Sequence, residues 1–213
     1  MSGTTTDLDT LPSCGKITIK NFKSIGFIDA ILRPMTIVTG RNGSGKSNFV
    51  DAFRFLKESI QSSLEFSIRA RHGIDRVRRH SIGHPFNFGI RLDINIHEPA
   101  HRKGAPAPTS ATYAFEISSG LNSTFSVNRE LLLLKKDGEI LSGFDRRRNR
   151  IQSFGTDTIM PRLTNMDNGE PVVPNDSLLF TTMSQYYGFY SVSRAISNIE
   201  IYSIDPSAIR GYQ

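Results

Sequence analysis

The sequence of 213 residues has no tryptophan and a single cysteine, Cys14. One thiol cannot build an internal disulfide framework or a cysteine-based zinc site. It suits a reducing compartment, so a cytoplasmic setting is expected. No apolar run reaches the roughly 18 residues that a membrane-crossing helix needs, and no membrane contact is expected. The first fifteen residues, MSGTTTDLDTLPSCG, lack both a basic start and an apolar stretch, so they do not read as a secretory signal. Residues 1–14 are expected to form a flexible leader. Acid is the minority charge: 20 Asp and Glu stand against 26 Lys and Arg, a formal charge of +6. That excess permits an anionic partner without demanding one. The histidines His72, His80, His84, His97 and His101 lack carboxylate or cysteine partners at ligand spacing, which argues against a histidine-based metal centre. What remains is an ordinary globular composition, 38% hydrophobic and 22% charged, long enough for one domain or two small ones.

Hydrophobic periodicity divides the chain. Ile17, Ile19 and Phe22 sit among polar residues at a spacing near two, which predicts a half-buried strand, and a second run covers Ile25 to Leu32. Beyond Pro34, Met35-Thr36-Ile37-Val38-Thr39 is short, apolar and β-branched, the pattern of a strand buried on both faces. It runs into a glycine-rich turn, Gly40 to Gly45. Phe49, Phe53, Leu56 and Ile60 then recur at helical spacing, flanked by Val50 and Ala52. Alternation returns at 86–97, around Tyr113 to Ile117 and at 124–134, with the proline- and alanine-rich HEPAHRKGAPAPTSA between the first two. Residues 155–176 are rich in Asp, Asn, Pro and Gly. Ser177 to Asn198 has helical spacing, and Ile199 to Ile204 reads as a strand ended by Asp205-Pro206. The expected architecture is a strand–turn–helix start followed by a mostly antiparallel β region at about 86–154 and a helical and strand segment at about 177–205.

One motif dominates. Gly40-Arg41-Asn42-Gly43-Ser44-Gly45-Lys46-Ser47 satisfies G-x-x-x-x-G-K-[ST], with a β-branched run before it and an amphipathic helix after it. Glycines let backbone N–H groups approach phosphate oxygens with no Cβ in the way. Those groups, with the positive end of the following helix, form an anion cradle. Lys46 would neutralise β- and γ-phosphates, and Ser47 offers a hydroxyl to Mg²⁺, a cation that prefers oxygen ligands. The plain alternative is a strand-to-helix turn with a solvated lysine.

The run ITIKNFKSIGFIDAILRPMTIVTGRNGSGKSNFVDAFRFL, residues 17–56, resembles the N-terminal lobe of ABC-type ATPases of the SMC, RecF and OLD-like group. The shared features are an I-x-N-F-K-S strand, a G-x-N-G-S-G-K-S-N loop and a following helix with Asp-Ala. The closing IEIYSIDPSAIRGYQ resembles a segment of OLD- and RecF-like AAA family ATPases that lies downstream of the first lobe's β region. The resemblance implies an α/β P-loop NTPase, with residues 15–213 forming a partial ATPase domain. It implies ATP and Mg²⁺ held by Gly40 to Ser47 and Asn48, with Lys23 and Ser24 near the base or γ-phosphate. Asn21 to Ser24 also reads more simply as a strand end and turn. Gln185 is the position for the family's lobe-joining, Mg²⁺-sensing glutamine, or else an exposed helix residue.

Two parts of such a site are not found in the sequence: an acidic pair on a buried strand, and a Ser-Gly-Gly signature facing a partner's γ-phosphate. Leu131 to Leu134 leads into Lys135-Lys136, and Asp205 has no Glu beside it and precedes proline. Asp93 fits the solvent side of an alternating strand. Leu141-Ser142-Gly143-Phe144 echoes the signature but follows Asp137-Gly138, as a hairpin arm would. Nucleotide binding can persist without these parts, whereas phosphoryl transfer needs an oriented water and charge stabilisation. Turnover by this chain alone is therefore expected to be poor. The missing parts would come from further sequence, a C-terminal half, a partner subunit or a second copy in a homodimer.

Two arginine clusters complete the reading. Arg69, Arg71, Arg76, Arg78 and Arg79 stand against Asp75, and DRRRNR spans Asp145 to Arg150 with Arg146, Arg147, Arg148 and Arg150. They read either as solvated loops or as contacts to nucleic-acid phosphates, whose affinity falls steeply with salt. Tyr186, Tyr187, Phe189 and Tyr190 fit core packing or an interface better than base stacking. The resemblance implies ATP-driven engagement of two lobes serving DNA repair or phage defence. The alternative is a non-hydrolysing module that signals ATP occupancy to a partner. A small-molecule kinase lacks identifiable lid and acceptor residues.

Overall fold

Alternating apolar residues build the strands. The computed structural model describes residues 13–80, 87–96, 109–155, 173–185 and 189–202. Strands β1 (Ser13–Phe22), β2 (Ile25–Ile31), β3 (Asn87–Asn95), β4 (Ser110–Ser119), β5 (Phe125–Lys136), β6 (Glu139–Arg147) and β7 (Arg150–Gly155) form one sheet in the order β2-β1-β3-β4-β5-β6-β7. Every pairing is antiparallel. The first two strands thus share a sheet with the later β region rather than preceding it as a separate layer. Asp137 and Gly138 turn β5 into β6 with φ of 51° and 90°, a two-residue reversal whose positive dihedrals match the strand twist.

The helices cover one face of that sheet. In α1 (Lys46–Gln61) the predicted stripe of Phe49, Phe53, Leu56 and Ile60 is buried, joined by Ala52 and Phe55. Phe55 lies 5.6 Å from Phe22, 5.5 Å from Phe88 and 6.2 Å from Phe115, so a single ring ties α1 to β1, β3 and β4. Two short helices follow, α2 (Leu64–Arg69) and α3 (Ile74–Val77). The Ser63 hydroxyl caps α2 by accepting from the Phe66 amide at 3.0 Å. Two more, α4 (Leu179–Met183) and α5 (Tyr190–Ser197), pack against α1.

A buried polar clamp delivers α4. The Glu130 carboxylate accepts the amides of Leu179 at 2.7 Å and Phe180 at 2.9 Å, and the Tyr113 hydroxyl at 3.1 Å. The Arg146 guanidinium, 3.9 Å from Glu130, donates to the carbonyls of Ser177 at 2.7 Å, Pro174 at 2.9 Å and Arg148 at 3.0 Å. The acid takes the amides and the base takes the carbonyls of one chain segment, so burial leaves few polar groups unsatisfied.

Three expectations are corrected. Met35 to Thr39 forms no strand, and Met35, Ile37 and Val38 are 79%, 70% and 39% exposed. The composition favours a strand, but among the described residues no neighbour pairs with it, and extended backbone needs a ladder partner to become sheet. Residues 199–202 are likewise not strand, and Ile204 and Asp205 lie outside the described residues. The supposed basic loop Asp145 to Arg150 is the end of β6, a tight turn and the start of β7.

Candidate nucleotide site

Residues 40–45 carry the chain into α1. Gly43 and Gly45 adopt φ of 78° and 93°, values that L side chains rarely take, and glycine alone meets both without strain. Gly45 is the N-cap of α1 and brings no side chain to the helix end, and no acid sits in the first turn. The first-turn amides and the positive helix terminus therefore remain for an anionic ligand. Lys46 Nζ folds back over the turn and donates to the carbonyls of Gly40 at 2.6 Å and Arg41 at 2.7 Å. The amide of Ser44 closes the loop on the carbonyl of Arg41 at 3.2 Å. Arg41, Asn42 and Ser47 are exposed. These residues fit a magnesium nucleoside triphosphate: an amide cradle, one long-armed cation and a hydroxyl one residue beyond it.

The turn from β1 to β2 abuts this loop. Ser24 Oγ accepts from Asn48 Nδ2 at 2.6 Å and lies 3.6 Å from the point a Cβ on Gly45 would occupy. Lys23 Nζ is 2.6 Å from Asp51 Oδ2, one helical turn beyond Ser47. Ser24, distant in sequence, thus meets the start of α1 at Asn48, while the Lys23 ammonium is held on Asp51 one turn further along the helix.

In the sequence Asp51 figures only in the Asp-Ala of the resemblance and Arg71 only in the arginine cluster; their pairing with each other, with Lys23 and with Glu58 was not foreseen. Arg71 grips Asp51 at 3.0 and 2.8 Å and Glu58 at 2.5 Å. Burial alone would raise the Asp51 carboxyl, but Arg71 and Lys23 outweigh it and hold the group below the usual carboxylate value. The one sequence signal was periodicity. Ser47, Asp51 and Glu58 recur at four and seven residues, one face of a helix.

Other expected residues fall elsewhere. Gln185 is exposed, just past α4. Leu141 to Phe144 lies inside β6, where a Cβ on Gly143 would come within 2.1 Å of the Leu132 carbonyl, so this stretch is a hairpin arm and not a free loop. Asp93 sits at the open face of β3, bonded to Arg91 and Thr112. Arg146 is corrected as a nucleic-acid contact, because it is 1% exposed and spent on the Glu130 clamp. Arg71 is likewise internal, with a side chain 8% exposed. Arg78 bonds Asp75 at 3.0 Å, Arg69 pairs with Glu65 at 2.7 Å, and the Arg79 guanidinium lies over Gly26. Arg76, Arg147, Arg148 and Arg150 are exposed. Phe189 is core and Tyr190 is exposed, while Tyr186 and Tyr187 lie outside the described residues. So do His84, His97 and His101. Among the described residues no cluster of three His, Cys, Asp or Glu could hold a metal ion, and no helix is long and apolar enough to cross a membrane.

Comparison with known proteins adds an independent finding. A family model described as "AAA domain, putative AbiEii toxin, Type IV TA system" matches residues 35–158, more than half of the chain. No curated protein matches. A solved structure, from work on ATP-driven dimerization and DNA-stimulated activation of SMC ATPases, is 18% identical and covers 60% of this chain and 70% of its own, with a TM-score of 0.38. A likeness that low bears on no residue here.

Proposed function

The chain belongs to this AAA-domain family, an ATP-binding one, and we propose that Gly40 to Ser47 grip the triphosphate of Mg-ATP. The observation that carries the reading is the loop itself. Two left-handed glycines lead into an uncapped helix start, and the ammonium of Lys46 is folded across the mouth on two carbonyls. In the bound state Lys46 exchanges those carbonyls for β- and γ-phosphate oxygens. The first-turn amides would take the remaining oxygens, and the Ser47 hydroxyl would hold the metal. A magnesium ion held there would supply charge neutralisation to the triphosphate. Asn48, Ser24 and Lys23 wall the site on the β1–β2 side, and Gln185 is the candidate to join the lobes and sense the metal.

Hydrolysis belongs to a larger assembly on this reading. The nearest acid on α1, Asp51, is occupied by Lys23 and Arg71, which leaves water activation to another segment. Residues 15–213 act as a partial ATPase domain, and the exposed run Met35 to Val38 is where a second lobe or partner subunit completes the sheet. Pairing of two such lobes on ATP would drive a cytoplasmic DNA-repair or phage-defence activity. Arg69, Arg76, Arg147, Arg148 and Arg150 are available to nucleic-acid phosphates. The same occupied carboxylate favours a second reading, in which ATP occupancy is a signal and the chain turns over almost no nucleotide.

Thermal unfolding with and without Mg-ATP tests the site. Ligand at a hundredfold over Kd adds about 2.7 kcal/mol to the folded state, or about 5–10 °C in Tm for a chain of this size. Lys46→Ala is expected to abolish that shift. An unchanged shift in the variant removes Lys46 from the site. Steady-state turnover of several per second, lost in the same variant, would mean that a complete catalytic site exists here.

A further inference from the structure

Three elements meet on one carboxylate. Asp51 of α1 receives Lys23 from the β1–β2 turn at 2.6 Å and Arg71, which follows α2, at 2.8 Å. Arg71 is fixed in turn by Glu58 at 2.5 Å, by the Ser67 carbonyl at 2.8 Å and by stacking 5.1 Å over the Phe55 ring. The side chains become more exposed along this chain of contacts, from 8% for Arg71 through 18% for Asp51 to 28% for Lys23. A packed arginine thus holds a carboxylate, and the carboxylate holds a half-buried ammonium. The two acids and two bases cancel, so this stretch of α1 presents no bare negative charge to an anion nearby.

The turn that carries Lys23 is itself constrained. Asn21 and Lys23 both have positive φ, 53° and 49°, unusual for residues with side chains and tolerated where surroundings over-determine them. Here the Lys23 amide donates to the Val77 carbonyl at 2.7 Å, the Arg79 amide donates to the Asn21 carbonyl at 2.7 Å, and Phe22 is buried between them. Ser24, the next residue, accepts from Asn48, which directly follows the phosphate loop, and lies 3.6 Å from where a Cβ on Gly45 would stand.

We propose that Asp51 is a positioning residue for Lys23. It sets the ammonium beside the phosphate loop as a second cation after Lys46, while Arg71 neutralises Asp51 so that the carboxylate does not repel the bound triphosphate. This rests on Gly40 to Ser47 being a triphosphate site. Lys23 has three donors and spends one on Asp51 among the described contacts, so the others can meet phosphate oxygen without the pair breaking.

Calorimetric titration of the full chain with Mg-ATP tests this, using Lys23→Met, Asp51→Asn and the double variant at low and high KCl. Each single change is expected to weaken ATP by about tenfold, the scale of one charge-assisted contact. The double should be no weaker than the worse single, and all three should lose part of the parent's salt dependence, a readout that a merely structural role would leave in place. Additive losses, or parent-like affinity in Asp51→Asn, overturn the proposal. Should Asp51→Asn fail to fold, Arg71→Lys decides, since it keeps the charge and gives up the two-point grip on Asp51. Parent-like affinity there overturns the proposal, and a several-fold loss supports it. ATP binding in the parent that ignores these changes removes only the positioning role, whereas no binding in the parent removes the site itself.

Discussion

Arg146 and Arg147 are neighbours in sequence and opposites in environment, because alternation along β6 sends the first into the core and the second to the open face. Their exposures are 1% for the residue Arg146 and 67% for the side chain of Arg147. Asp145, on the face of Arg147, accepts from Arg129 at 2.8 Å and from Arg147 at 3.2 Å. Burial by itself would raise this carboxyl, but the two guanidiniums draw it below its ordinary value. A depressed folded value means that the unfolded chain takes up the proton first as acid is added. The stabilisation is therefore complete above the unfolded pKa of about 3.9 and is lost as pH falls through the lower folded value. Asp145→Asn is expected to cost about 1 kcal/mol at pH 7. Urea denaturation should show the gap closing toward pH 2. A gap that stays constant with pH would mean that the charge of Asp145 contributes nothing. None of this was legible in the string DRRRNR. A charge run reads as solvated until the ladder partners of each position are known.

At the scale of elements, α1 was readable because its stripe repeats at helical spacing, and the β5–β6 hairpin because Asp137-Gly138 names its own turn. The seating of α4 was not. It depends on Glu130 and Arg146, sixteen residues apart in sequence, meeting a segment more than 25 residues beyond them. Removing one partner of a buried pair leaves the other uncompensated, so Arg146→Met should destabilise by about 3–5 kcal/mol. Arg147→Met in the same strand, on the exposed face, should stay within about 0.5 kcal/mol. Equal effects in denaturant titrations would contradict the assignment of inner and outer faces. The phosphate loop was legible for the opposite reason: its chemistry sits in eight consecutive residues, whereas Lys23, Asp51, Glu58 and Arg71 become one network only when three elements fold together.

Across the whole molecule, the clearest departure from expectation is Met35 to Thr39. Period and composition report what a segment can pair with, and they are silent on whether a partner strand is present. Ile19 of β1 is fully buried, and Ile37 is 70% exposed although the sequence gives both a strand pattern. Ile37→Asp should therefore leave the stability of this chain within about 0.5 kcal/mol. Ile19→Asp, which buries an unpaired carboxylate, should prevent folding. A large loss from Ile37→Asp in thermal or urea unfolding would show that the run is packed in solution.

That open run has a colloidal consequence. Five uncharged, β-branched-rich residues with free edges are the raw material of intermolecular strand stacking. Exposed Arg33 and Arg41 bracket them, and stacking in register would set each arginine against its copy. Dispersal of the isolated protein then depends on like-charge repulsion at two guanidiniums, a force that concentrated salt screens away.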